Sequence, residues 1–150
     1  MHASDPNFAE RVRDSFERQP AMRTLGAALQ RVEPGHVVIG MTHREELTQQ
    51  HGFIHAGMLA AALDSACGYA AFSLMPADAA VLTIEFKINL LAPARGPRFR
   101  FDARVTKPGR TISVVDARAL QFAGDGADDQ LIATMTATVM TVIGREGVRH

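Results

Sequence analysis

Met58-Leu-Ala-Ala-Ala-Leu-Asp-Ser-Ala-Cys-Gly-Tyr-Ala-Ala-Phe72 is small or apolar at almost every position, with one carboxylate, Asp64, in its middle. The same character runs from about Ala56 to Leu74 and stops before Pro76, which predicts one long helix over 56–74. A helix apolar on nearly every side must be covered on most of them. Gly57, Ala60, Ala61, Gly68 and Ala71 give it low-profile surfaces that let another backbone come close. An ionised carboxylate among Leu and Ala is costly to desolvate, so Asp64 either has partners or carries a raised pKa. Just upstream, Gln49-Gln-His-Gly-Phe-Ile-His-Ala-Gly57 reads as a tight, glycine-containing lead into the helix, where backbone N–H groups are left without intrahelical acceptors.

Around this helix the chain has the period of strands. Val81–Leu91 alternates, with Leu82, Ile84, Phe86, Ile88 and Leu90 expected on one face and Thr83, Glu85, Lys87 and Asn89 on the other. Pro93 to Pro97 turns the chain. In Arg98–Thr106, Phe99, Phe101, Ala103 and Val105 alternate with charged residues, and Lys107-Pro108-Gly109-Arg110 is a second turn. Thr111–Phe122 alternates less cleanly, with a bulge expected at Val114-Val115. Gly124–Asp129 reads as an acidic loop, Leu131–Val142 as a last strand, and 144–150 as a frayed tail. Before the helix, Leu25–Val32 and Val37–Met41 read as strands about a Glu33-Pro34-Gly35 turn, and Thr42–Gln50 as a polar loop. Asp5-Pro6 opens a short amphipathic helix whose stripe is Phe8, Val12 and Phe16, with Pro20 closing it near residue 20. The pattern is α+β: about six antiparallel strands wrapped on one long helix, with a short N-terminal helix, in a single domain over 1–150. Such a sheet leaves open edges and part of the helix bare, and dimerisation that extends the sheet would address both.

Composition narrows the function. Lys+Arg and Asp+Glu are both 16, so the chain carries no net charge and binding driven by bulk charge to nucleic acid or an anionic membrane is not favoured. Trp is absent and Tyr occurs once, which argues against a stacking platform for single-stranded nucleic acid. The apolar stretches are too short or too interrupted to span a bilayer. Met1–Asn7 lacks the apolar core of a signal peptide, and Cys67 is the only cysteine, so a cytoplasmic location is expected. Cys67 lies inside the apolar helix without a basic neighbour within a turn and reads as an inert buried thiol.

Gln49-x-x-Gly52-x-x-His55-x-Gly57 followed by Asp64, nine residues after His55, carries a resemblance. From about Leu25 to Val142 the chain resembles the hotdog-fold acyl-CoA thioesterases, most closely the phenylacetate-pathway (PaaI-like) branch, whose pattern is Asn-x-x-Gly-x-x-His-Gly-Gly with an Asp nine residues after the His. Thr83-Ile-Glu-Phe-Lys-Ile-Asn-Leu-Leu-Ala-Pro93 and Gly109-Arg110 also look like that family's. The resemblance implies a hotdog fold, hydrolysis of an acyl-CoA, and an active site shared between two subunits of a homodimer, itself able to pair into a tetramer. It implies Asp64 as general base or nucleophile, the Ala56 N–H as oxyanion donor, Gln49 in the place of the Asn that orients water or thioester, and Thr83 near the reacting centre. His55 and Gly57 would shape the helix start. Ser65, Asn89, Lys107, Gly109 and Arg110 complete the expected substrate-binding set. No metal or redox cofactor is implied; CoA belongs to the substrate. Two positions depart from the pattern. Gln49 extends its amide by one methylene, and Ala56 adds a Cβ where the family has the first Gly of its pair, but the N–H survives.

The chemistry suits these residues. A desolvated carboxylate is a stronger base than a solvated one, and a helix N-terminus presents oriented N–H donors at the positive end of its dipole. The bland readings are an Asp64 satisfied structurally by Ser65, Tyr69 or a neighbouring chain, a solvated Gln49, an ordinary strand threonine at Thr83, and surface charge at Lys107, Arg110, Arg95 and Arg98. His51 and His55 stand at i and i+4, but Gly52 between them and the lack of a third ligand disfavour a metal site. The rival functions are a hotdog dehydratase or hydratase on acyl thioesters, and a non-catalytic acyl-CoA-binding protein.

Overall fold

In the computed structural model, residues 1–124 and 128–148 are described. The middle of the expected acidic loop and the last two residues of the expected frayed tail lie outside them; residues 144–148 carry no helix or strand. The chain runs α1 (Phe8–Glu17), α2 (Pro20–Leu25), β1 (Ala28–Glu33), β2 (His36–Thr42), a short 3-10 turn (Glu45–Leu47), α3 (Ala56–Phe72), β3 (Ala79–Leu90), β4 (Arg98–Lys107), β5 (Ile112–Phe122) and β6 (Gln130–Ile143). The six strands form one antiparallel sheet in the order β1-β2-β4-β5-β6-β3. The sheet wraps α3, as the hotdog fold requires.

α3 is the axis of the core. Ala62, Leu63, Ala66, Cys67, Ala70 and Phe72 are fully buried against Val37, Ile39, Phe101, Val115 and Val139 of the sheet. The small side chains of Ala62, Ala66, Cys67 and Ala70 let the sheet curl tightly on the helix. After β2 the chain crosses the concave face as α3 and re-enters the sheet at its far edge as β3. Ser73 ends the helix. Its Oγ donates to Ala70 O (2.7 Å) and accepts from Gly35 N (2.8 Å), tying the helix end to the β1–β2 turn. The helix therefore closes two residues earlier than the Leu74 expected from its apolar run.

The N-terminus differs from expectation. Pro20 does not only end α1. It also starts α2 at the first helical position, where its missing N–H is no loss. The stretch 20–25 is thus helical and β1 begins later than expected, at Ala28. α1 docks through Val12, Ser15 and Phe16. Arg11 pins it: its Nε bonds the buried Asp5 carboxylate (2.8 Å), its Nη2 donates to Met75 O (2.8 Å), and its guanidinium lies 4.1 Å from the Phe72 ring centroid. A cation at the C-terminal end of α3 also complements the helix dipole. Arg11→Ala leaves Asp5 buried without its cation, and a loss of about 3 kcal/mol is expected in urea unfolding.

β5 alternates cleanly, contrary to expectation, and the bulge sits across from it. Val105 pairs with Val115 and Lys107 with Val114, so the extra residue is Thr106 on β4. A second bulge, at Ile84 of β3, matters more. Thr83 pairs with Val139 and Glu85 with Thr138, so Ile84 has no partner and the strand changes phase there. Beyond it Phe86, Ile88 and Leu90 sit opposite Ala137, Met135 and Ala133, on the helix side. The single apolar stripe expected from Leu82 to Leu90 is therefore split. Thr83 shares the helix side with Phe86, whereas Leu82, opposite Met140, does not.

Candidate active site

Two clefts open along α3. The first lies at its start. Gln49 N bonds Phe53 O (2.8 Å) and Gly52 N bonds Gln49 O (3.0 Å), making a tight turn in which Gly52 takes φ +82°, a backbone region that favours glycine. Gln49 accepts the His51 N–H through its Oε1. His55 is the N-cap: its Nδ1 accepts from Gly57 N (2.8 Å). A Cβ on Gly57 would stand 3.0 Å from that Nδ1, so glycine there lets the ring fold back as cap. Ala56 is the first residue of the helix, with no intrahelical acceptor for its N–H. Gln49, His55, Ala56, Leu59, Leu90 and Leu91 line this cleft of ≈ 520 Å³.

The second cleft, ≈ 250 Å³, holds Asp64 with Ser65, Tyr69 and Thr83. Asp64 is half-buried and accepts from Thr83 Oγ1 (2.7 Å). The Ile84 bulge places that hydroxyl. Thr83 reaches Asp64 within one chain, where strict alternation would have turned it away and left its access to a partner subunit. Desolvation raises the Asp64 pKa, and the Thr83 hydroxyl opposes part of that rise. Asp116, exposed on the outer face, is the contrast: hydroxyl bonds from Thr106 and Thr136 hold its pKa below the usual carboxylate value. Thr83→Val removes the opposing bond. The acid limb of any Asp64-dependent rate then moves to higher pH, which a pH–rate profile of the variant against its parent reads directly. Cys67 is buried, and that burial, with the nearby Asp64 and Asp116 carboxylates, pushes its thiol pKa far up, in keeping with an inert core thiol.

The expected site residues do not all converge. Ala56 and Asp64 lie eight residues apart on one helix, which puts about 12 Å of helical rise between them. Gly109 and Arg110 line a third cavity, ≈ 480 Å³, with Leu74 and Met75 beyond the C-terminal end of α3, and the exposed Lys107 belongs to the same turn. Gly109 is needed in that turn, since a Cβ would fall 2.0 Å from Ile112 O. Asn89 is on the outer face, accepting from Lys87 Nζ (2.7 Å) and donating to Thr134 Oγ1 (3.2 Å), on the other side of the sheet from Asp64. Ser65 is buried, and its Oγ accepts from Gln19 Nε2 (3.4 Å). Gln19 was not singled out by the sequence; it follows α1 with no local pattern to mark it. Among the described residues no group of three or more His, Cys, Asp or Glu side chains could hold a metal ion.

A six-stranded antiparallel sheet wrapped on one long helix defines a hotdog-fold protein. The chain belongs to the Thioesterase superfamily, whose sequence profile matches residues 51–125. It is similar to the crystal structure of a thioesterase family protein from Silicibacter pomeroyi, at 58% identity and TM-score 0.88 over 91% of this chain and 99% of that one. It is also similar to a phenylacetic acid degradation-related protein from Ralstonia eutropha, at 25% identity and TM-score 0.75, covering 89% of this chain and 98% of that one. The PaaI protein of the E. coli phenylacetic acid degradation operon shares the fold, at 19% identity and TM-score 0.81 over 95% and 96% of the two chains.

Proposed function

We propose that the chain hydrolyses acyl-CoA or aryl-acyl-CoA thioesters to the free acid and CoASH, as a homodimer able to pair into a tetramer. The observation that carries this reading is the split site: an acid with a raised pKa and a helix-start amide lie on one helix but too far apart to meet at one carbonyl. Two copies with their α3 helices antiparallel would set Asp64 of one against Ala56 of the other. The free edge strand β3 favours such pairing. Leu82, Ile84, Phe86 and Leu90 are 38–54% exposed along it, and edge-to-edge pairing would cover them and extend the sheet.

In this arrangement the Ala56 N–H holds the thioester oxygen as it gains negative charge. Thr83 occupies Asp64 Oδ1 and leaves the other carboxylate oxygen to act. Asp64 either takes a proton from a water that attacks the carbonyl carbon, or attacks that carbon itself to form an anhydride that water then opens. Either way the C–S bond breaks, the sulfur leaves as the CoA thiolate, and water supplies the new oxygen. The reaction balances with water alone and draws on no metal or redox cofactor. With the Gln49 Oε1 engaged by His51 N–H, the side chain offers the substrate its NH2. Gly109, Arg110 and Lys107, at the far end of α3, suit the nucleotide end of CoA. No helix among the described residues is long and apolar enough to cross a membrane, and the lone buried thiol fits the cytoplasmic location we infer.

A thiol-release screen across acyl-CoAs of graded size tests the reading, with crotonyl-CoA hydration followed in parallel. CoASH release is expected. Hydration without release would make the protein a hydratase; saturable binding with neither would make it an acyl-CoA carrier.

A further inference from the structure

We propose that Gln19 sets the length of acyl group that the Asp64 cleft accepts. The thioesterase reading supplies only the occupant, an acyl chain on CoA; the wall that limits it is a feature of the fold. The cleft runs between the Asp64–Tyr69 stretch of α3 and Val81–Thr83 of β3. Thr83 marks the end at the acid. One turn along, Gly68 leaves the floor open, since a Cβ there would first meet Val81 Cγ1, at 4.0 Å. A hydrocarbon chain can therefore lie along Gly68 and Val81, away from Asp64. Sheet and helix alone would leave one flank open. The α1–α2 corner closes it with a single side chain.

That side chain is Gln19. Its Nε2 donates to Ser65 Oγ (3.4 Å) and its Oε1 accepts from Tyr69 OH (3.4 Å), so it bridges one turn of α3 beside the acid. Tyr69 is steadied by Ser15 (3.2 Å between hydroxyls), and the Gln19 backbone is fixed by its own N–H to Phe16 O (3.1 Å) and by Met22 N–H to its O (3.2 Å). The wall is thus built from a rigid corner, while the two long bonds to the amide hold it only lightly. Gln19 is the N-cap residue of α2 but makes no side-chain cap bond, so α2 does not depend on its amide.

Gln19→Ala removes the amide wall and opens that flank to longer chains; Gln19→Met keeps the volume without the hydrogen bonds. The readout is the dissociation constant of S-alkyl-CoA thioethers of graded chain length, measured by calorimetry. These bind without being hydrolysed. The parent should favour the shorter thioethers. In Gln19→Ala the ratio of long-chain to short-chain affinity should rise roughly tenfold or more, the scale of a methylene or two in an apolar pocket. Gln19→Met should keep the parent ratio. A parent that binds none of the thioethers or does not discriminate among them, an unchanged ratio or a uniform loss in Gln19→Ala, or a Gln19→Met that shifts as far as Gln19→Ala, would each overturn the proposal. A parent that binds thioethers with this preference but releases no CoASH from any acyl-CoA would reject the hydrolase reading and leave the length limit standing.

Discussion

Asp64→Asn should fold, lose roughly 10²–10⁴ of the rate of CoASH release, and melt at a higher temperature than its parent at neutral pH. The first part follows from geometry. Asp64 is the acid of its cleft, held by Thr83, and an amide there neither takes a proton from water nor attacks a carbonyl. The second follows from linkage. Burial raises the folded-state pKa of Asp64, so the fold disfavours its charged form. The stability contributed by the neutral form is complete below the unfolded-state pKa and is lost as pH rises through the raised folded value. At neutral pH the parent bears this cost and the neutral Asn does not. Melting temperatures across pH read the effect, and the gap between variant and parent should shrink in acid. An Asp64→Asn protein that releases CoASH as fast as its parent would end the assignment. One less stable at neutral pH would mean that the carboxylate is structurally satisfied after all.

Ala56→Pro is the second large effect. Proline is welcome at the first position of a helix, and His55 before it already has φ −59° and ψ 137°, the conformation a following proline prefers. The substitution deletes one N–H and little else. Loss of a single oxyanion donor should lower the rate roughly 10²–10³-fold with the melting temperature nearly unchanged. The two variants then test each other. In a mixed dimer of Asp64→Asn and Ala56→Pro chains, a site built across the interface finds an intact acid on one chain and an intact amide on the other. Random co-refolding makes half the dimers mixed, each with one good site of two, so about a quarter of the parental rate should return. If acid and amide acted within one chain, nothing would return.

Much of this was legible in the sequence because it rests on period and composition. The all-round apolar run at about 56–74 predicts an enclosed helix, and the alternation in β4 and β6 marks their inner faces. Asp64 stood out because a carboxylate among alanines is expensive. What escaped was what local pattern does not encode. The bulge at Ile84 carries no glycine or other mark in Thr83-Ile84-Glu85, yet it reverses the side on which Thr83 emerges and so decides the acid's partner. Pro20 reads as a stop, yet its fixed φ serves equally to start α2. Gln19 gained its place only when α1 docked through Arg11, Val12 and Phe16, a tertiary event. Asn89 fell on the outer face with Lys87 and Thr134, so its expected role in substrate binding draws no support from its position.

The placement of β3 also governs the order in which the molecule can be built. Among the described residues its one neighbour in the sheet is β6, a strand made after β4 and β5. At translation rates of 5–20 residues per second, roughly 3–10 s separate the synthesis of Leu90 from that of Ile143. Through that interval a strand bearing Leu82, Ile84, Phe86 and Leu90 has no neighbour to zip onto, and Glu85 and Lys87 sit within it as the charges that discourage self-association on the ribosome.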